Sequence, residues 1–244
     1  MTPSLVVFDL VGTLVKDDGA IQRCFVEALR GERLLFSAHE LASVANLSRL
    51  EAIMRLLYSR EGRPVERARL EAIHGRFLTA LTAHYARQAS VRSVEAAWLT
   101  LVALDDAGVS VAIETTLPAS AASAVLDAVG WVAEGLVDAV VAEDDVLRSR
   151  PAPDSLLEAM RRAEVFDVRR VAKVGTTPAD LAQGTLAGCG WVVGASYGAY
   201  RHDELVVRPH THLVARLYDV LDVFGLDGHT AARSARRRAC ASAI

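Results

Sequence analysis

The chain has 244 residues, with 27 Lys and Arg against 30 Asp and Glu, giving a formal net charge of −3. Hydrophobic residues make up 52% and charged residues 23%, which excludes a disordered chain and allows one large α/β domain or a core carrying an insertion. The mild acidity argues against nucleic acid as a partner, and three well-separated cysteines (Cys24, Cys189, Cys240) exclude a disulfide framework or a cysteine zinc site. Only Lys16 and Lys173 among the basic residues are lysines; the rest are arginines.

The first residues lack a basic leader and place Asp9 within an apolar stretch, and no apolar run approaches the ~20 residues of a membrane span. A cytoplasmic protein that does not engage a membrane is the expectation. Leu5–Leu10 predicts the first strand. A long stretch without a good strand follows, in which Val26–Arg30, Glu40–Tyr58 and Arg67–Arg87 show helical spacing, broken at Gly31 and at Glu61–Pro64. Strands are then predicted at Val109–Glu114, Leu136–Val141, Val171–Gly175 and Trp191–Gly194, with a weaker one at His212–Ala215. Between them Ser93–Ala107, Ala119–Ala128, Ser155–Ala163 and Ala179–Ala187 read as helices.

Alternation of continuous apolar strands with helices predicts an α/β fold, a Rossmann-like parallel sheet covered on both faces. The helical block between strands one and two interrupts that rhythm and reads as an inserted α-helical cap at residues 17–90. Residues 1–16 and 91–228 then form the core, and 229–244 a basic C-terminal tail.

In an open parallel sheet, ligands bind beyond the carboxyl ends of the strands. Those ends carry Asp9 with Gly12 and Thr13, Glu114 with Thr115 and Thr116, Arg150 after the third strand, and Gly175 through Asp180 after the fourth. A nucleophilic carboxylate, hydroxyls, a guanidinium and a second carboxylate would therefore converge on one edge. Thr177-Pro-Ala-Asp180 also reads as a helix capping box with proline at the first helical position.

Phe8-Asp9-x-x-Gly12-Thr13-Leu14, Thr115, Arg150 and Gly175–Asp180, in that order on successive strands, resemble the four motifs of the haloacid dehalogenase superfamily. The segments Ser149–Asp154, Val171–Gly175, Ala187–Trp191 and Pro209–His212 resemble its phosphonatase-like branch. The resemblance implies the HAD fold with a cap and an enzyme, a hydrolase in which Asp9 attacks a small anionic substrate and forms an aspartyl intermediate. It implies that Thr115 and Arg150 hold the anion with Gly12, Thr13, Thr116 and the backbone amides of residues 10–13. It further implies a Mg²⁺ site built from Asp9, the Val11 carbonyl and Asp180.

Three positions depart from the pattern. Val11 stands where phosphatases of the superfamily carry an acid–base aspartate, and a valine moves no proton. Thr176 replaces the first aspartate of the fourth motif, and a neutral hydroxyl is a poor ligand for a hard dication, so the Mg²⁺ site is expected to be weakened. Arg49 occupies the position of the cap lysine that phosphonatases use as a Schiff base. A guanidinium forms no imine, so phosphonoacetaldehyde hydrolysis by that route is excluded, while Arg49 remains a candidate substrate-binding cation. Two alternatives to the hydrolase stay open: a catalytically degenerate member kept for binding or assembly, and metal-independent displacement at carbon. The expected partner is a small anionic substrate, with a homodimer as an open alternative.

Overall fold

A computed structural model describes residues 2–32, 34–44, 49–87 and 91–226. The basic tail lies outside the described residues. The chain divides into two compact units, one of Met1–Lys16 with Val91–Ile244, the other of Asp17–Ser90.

The first unit is built on six parallel strands, β1 (Leu5–Asp9), β2 (Ser110–Glu114), β3 (Ala139–Val141), β4 (Val171–Gly175), β5 (Trp191–Ala195) and β6 (His212–Val214). Their spatial order is β3-β2-β1-β4-β5-β6, so β1 is central and the chain departs to opposite sides of it. In open α/β sheets such a reversal marks the carboxyl-end edge where ligands bind. Every residue of β1 and β4 is buried, as expected for strands covered on both faces.

Register decides which side chains meet. Asp9 pairs with Glu114, Val7 with Lys173, and Val7 also with Ala112. Side chains alternate between faces along a strand, so Val7, Asp9, Ala112, Glu114, Lys173 and Gly175 share one face. That face is closed by Leu156, Ala159 and Met160 of helix α7 (Asp154–Arg162), which join Leu5, Val7, Ala139, Val141 and Val171 in one apolar cluster. Helix α8 (Pro178–Ala187), which connects β4 to β5, packs on both of those strands.

The second unit holds α1 (Ala20–Arg30), α2 (Ala38–Ser43), α3 (Arg49–Glu61) and α4 (Arg67–Tyr85). Helix α1 begins earlier than periodicity implies. Gly19 takes a left-handed conformation, and the Asp17 and Asp18 carboxylates accept from the Gly19 and Ala20 amides, giving the helix a start that apolar spacing cannot reveal. The predicted single helix Glu40–Tyr58 is instead two helices, α2 and α3; residues 45–48 between them are outside the described residues. In the α/β unit, α5 (Ala97–Asp106) starts four residues later than expected, because Ser93 bridges Val15 in extended conformation. Strand β3 starts at Ala139 because Leu136 is drawn back onto the Trp131 carbonyl by a turn.

Candidate active site

Asp9 ends β1 with only 3% of its surface exposed. Beyond it the chain turns sharply through Gly12, whose φ of 93° is left-handed and disfavoured for other residues. The turn brings the Thr13 hydroxyl back to donate to Asp9 Oδ2 at 2.9 Å. Tyr197 fixes the same turn by donating its hydroxyl to the Thr13 carbonyl at 2.8 Å. On the other side Arg150 Nη2 lies 2.9 Å from Asp9 Oδ1. The guanidinium also binds Asp180 through Nη1 and reaches Glu114 Oε1 through Nε at 3.8 Å.

Asp180 combines two tasks. Its Oδ2 accepts from the Thr177 amide (3.0 Å) and hydroxyl (2.7 Å), and its own amide donates to Thr177 Oγ1 at 3.3 Å, completing the capping box of α8. Its Oδ1 faces Arg150 and, at 3.0 Å, Lys173 Nζ. The close approach of this cap to β4 requires Gly175: a Cβ there would fall 2.2 Å from Asp180 Cγ.

Two participants, Glu114 and Lys173, carry no role in the sequence reading. Lys173 is fully buried and pairs with both Glu114 and Asp180. Glu114 Oε2 accepts from Ser155 and, at 2.9 Å, from Gln183 Nε2. A signal for both was present. A lysine inside the otherwise apolar run Val171–Gly175, and a glutamate closing another such run, each need a buried partner of opposite charge. Three carboxylates thus surround two cations in the described site.

The charges respond in different directions. Burial dominates at Asp9 and raises its pKa to about 6, with Arg150 opposing and Asp180 reinforcing the shift. Burial also disfavours the charged form of Asp180, yet Arg150 and Lys173 outweigh it and hold that carboxyl well below its ordinary range. Glu114 is likewise lowered: against burial, Lys173 and then Arg150 prevail. For Lys173 burial favours loss of the proton, but Asp180 and Glu114 raise its pKa and keep the ammonium charged.

The structure therefore brings together Asp9, Thr13, Arg150 and Asp180. Thr176 is close by, its hydroxyl 3.4 Å from that of Thr13. Thr115 follows Glu114 on the neighbouring strand, but its hydroxyl accepts from the Leu117 amide at 3.1 Å and no hydrogen bond joins it to Asp9 or Arg150. Thr116 is half-buried beside it. Neither caps α6 (Ala119–Val129); the carboxylate of Asp144 does so through the Ala119 amide at 2.8 Å. The expected amide cradle of residues 10–13 needs correction at Gly12. Its N–H donates to the Val15 carbonyl at 2.7 Å, because Val11 and Val15 bridge across the turn. Arg49 opens α3 in the helical unit, with its guanidinium 5.6 Å from the Phe25 ring centroid.

Residues 3–188 match the haloacid dehalogenase-like hydrolase family. The chain belongs to that family. It is 30% identical to a phosphonoacetaldehyde hydrolase of Bordetella avium (strain 197N), over 98% of this chain and 83% of that protein. It is 29% identical to a probable phosphatase, IndB, of Dickeya dadantii (strain 3937), over 82% of this chain and 84% of that one. In three dimensions it resembles a phosphonoacetaldehyde hydrolase-like protein of Oleispira antarctica, with a TM-score of 0.77 at 20% identity, covering 97% of this chain and 95% of the other.

Hydrolases of this family generally use Mg²⁺. The residues of this chain do not fit that ion as arranged. Arg150 lies on one oxygen of Asp9 and one of Asp180, Thr13 and Thr177 donate to the other two, and Thr176 offers a hydroxyl instead of a third carboxylate. Among the described residues no three His, Cys, Asp or Glu side chains converge as a ligand set. No helix among them is long and apolar enough to cross a membrane.

Proposed function

We propose that this hydrolase is of phosphatase type and acts on a small anionic substrate, with Asp9 as the nucleophile. The observation that carries the reading is the position of Asp9 at the carboxyl end of the central strand, held between the Thr13 hydroxyl and the Arg150 guanidinium. Each carboxylate oxygen keeps a second lone pair beyond the bond it accepts, so one can attack phosphorus. The new bond joins an Asp9 oxygen to phosphorus as the leaving group departs, and water then hydrolyses the aspartyl phosphate. Arg150 presents a planar fork that cannot lose its charge, suited to a phosphoryl group. Thr115 and Thr116 supply hydroxyls for the anion at the same edge, Thr13 spends its hydroxyl proton on Asp9, and Gly12 lets the backbone turn around the anion.

Names of two relatives, a probable phosphatase and a phosphonoacetaldehyde hydrolase, support a phosphoryl-bearing substrate. Against a Schiff-base route stands the composition of residues 17–90, which contain no lysine, and the chemistry of Arg49, whose guanidinium forms no imine. Val11 gives no proton to the leaving group, which favours esters whose leaving group departs as a stable anion. A binding protein without turnover is the second reading, favoured by the loss of ordinary chemistry at Val11 and Thr176.

The test is turnover of small phosphate esters with acidic leaving groups, with acid-quenched enzyme analysed by mass spectrometry. Wild type is expected to carry a covalent phosphate on the peptide containing Asp9, and Asp9→Asn to lose at least ~10³-fold in kcat with its fold intact. Tight binding without turnover in both proteins would transfer the conclusion to the second reading.

A further inference from the structure

We propose that the Arg150 guanidinium takes the place of the divalent cation in this site, so that the chain binds its anion without a metal ion. This inference concerns binding and stands apart from whether Asp9 turns substrate over.

The geometry is that of a cation held by several anions. Three nitrogens of Arg150 address three carboxylates from three different strands or helices: Nη2 to Asp9 Oδ1 at 2.9 Å, Nη1 to Asp180 Oδ1, and Nε toward Glu114 Oε1 at 3.8 Å. The side chain is only 10% exposed, so this is an interior arrangement and not a surface pair. A planar fork can face several carboxylates at once, where lysine supplies a single point charge.

The oxygens left over are also engaged. Asp9 Oδ2 accepts from Thr13, Asp180 Oδ2 from the Thr177 amide and hydroxyl, and Glu114 Oε2 from Ser155 and Gln183. Lys173 lies 3.0 Å from the same Asp180 oxygen that Arg150 binds. Mg²⁺ demands near-octahedral oxygen ligands at about 2.0–2.1 Å. To bridge Asp9 and Asp180 it would have to expel a guanidinium from both, leaving that charge buried beside Lys173. Thr176 cannot compensate, since its hydroxyl adds no charge and faces the Thr13 hydroxyl at 3.4 Å.

The substitution at position 176 and the placement of Arg150 are therefore two sides of one change. A carboxylate is missing from the ligand set, and an organic cation neutralises those that remain. Unlike a bound ion, this cation is covalently part of the chain and does not dissociate. It also carries one positive charge where Mg²⁺ carries two, which restricts the site to anions that need only moderate neutralisation.

The test uses the full-length chain, inorganic phosphate and MgCl₂, reading phosphate affinity by calorimetry and the thermal-unfolding midpoint by fluorescence. Wild type is expected to bind phosphate with the same Kd, within about twofold, in EDTA and in millimolar Mg²⁺, and to show no Mg²⁺-induced rise in midpoint. A second measurement uses Arg150→Met, which keeps bulk but removes charge. It is expected to weaken phosphate binding by about tenfold or more. Its midpoint should become Mg²⁺-sensitive, because Asp9 and Asp180 then lack their shared cation. A Mg²⁺-dependent rise in the wild-type midpoint overturns the proposal. So does phosphate binding that requires Mg²⁺, or that is absent in both buffers. Should Arg150→Met fail to fold, the wild-type titrations decide the matter alone.

Discussion

Glu32 in the helical unit and Asp9 in the α/β unit both accept from arginine, yet their carboxyls are displaced in opposite directions. Glu32 bonds Arg69 at 2.7 Å and Arg76 at 2.5 Å, and those bonds, Arg69 first, lower its pKa. Asp9 bonds Arg150 at 2.9 Å and Thr13 at 2.9 Å, and its pKa rises to about 6 because burial is the larger effect. The two arginines beside Glu32 are 29% and 42% exposed in their side chains, against 10% for Arg150. In an ion pair that still reaches water, the hydrogen bonds to arginine outweigh the cost of desolvation and favour the charged carboxylate. One enclosed in a parallel sheet must first overcome the loss of hydration.

The largest effect should come from breaking the enclosed cluster. Lys173→Met removes the ammonium that Glu114 and Asp180 share and leaves buried charge uncompensated. A loss of about 3–5 kcal/mol in urea unfolding is expected. Adding Glu114→Gln to that variant should recover part of the loss; a double variant weaker than the single one would show that Glu114 does not depend on Lys173.

The next effect has the opposite sign. The Asp9 carboxyl titrates near 3.8 in the unfolded chain and at about 6 when folded, so the folded state holds its proton more tightly. Its favourable contribution is complete below the unfolded value and is lost as pH rises through the folded one. Asp9→Asn should therefore be more stable than wild type above pH ~6, by up to about 3 kcal/mol, with the difference closing as pH falls toward ~4. A variant that is less stable than wild type at pH ~8 would mean that the Arg150 contact outweighs burial. If Asp9 is the nucleophile proposed above, the same titration predicts an acidic limb near pH ~6 in turnover, because only an ionised carboxylate can attack.

The smallest effect belongs to the helical unit. Glu32→Gln should destabilise by about 0.5–1 kcal/mol above pH ~4.5, and the difference should vanish at lower pH, where the wild-type carboxylate is protonated. High salt should erase it as well, while leaving the Lys173→Met effect largely intact. The same exchange of acid for amide is thus expected to stabilise one region and destabilise the other.

Much of this comparison was legible in the residues alone. Asp9, Arg150 and Asp180 could be placed at one sheet edge because strand ends in a parallel sheet face the same way, and the capping box of Thr177 and Asp180 is a local pattern read directly from spacing. That residues 17–90 contain no lysine, the group an imine would need there, is read from the sequence alone. The start of α1 was less legible, because Asp17 and Asp18 act through backbone turns that hydrophobic periodicity does not register.

What the sequence determined by itself was the succession of strands along the chain and the chemical identity of the groups at their ends, since both follow from local patterns of polarity. It did not determine which carboxylate Arg150 would choose. Asp144, Asp145 and Asp154 are nearer in the chain, yet Arg148 takes Asp154, Arg162 takes Asp145, and Arg150 turns inward to Asp9, Asp180 and Glu114. The tertiary structure decided that through register. Pairing Asp9 with Glu114 and Val7 with Lys173 puts two acids and a lysine on one buried face, and the capped start of α8 adds Asp180 to them; partners there are selected by proximity across elements, and unsatisfied charge is too costly to leave.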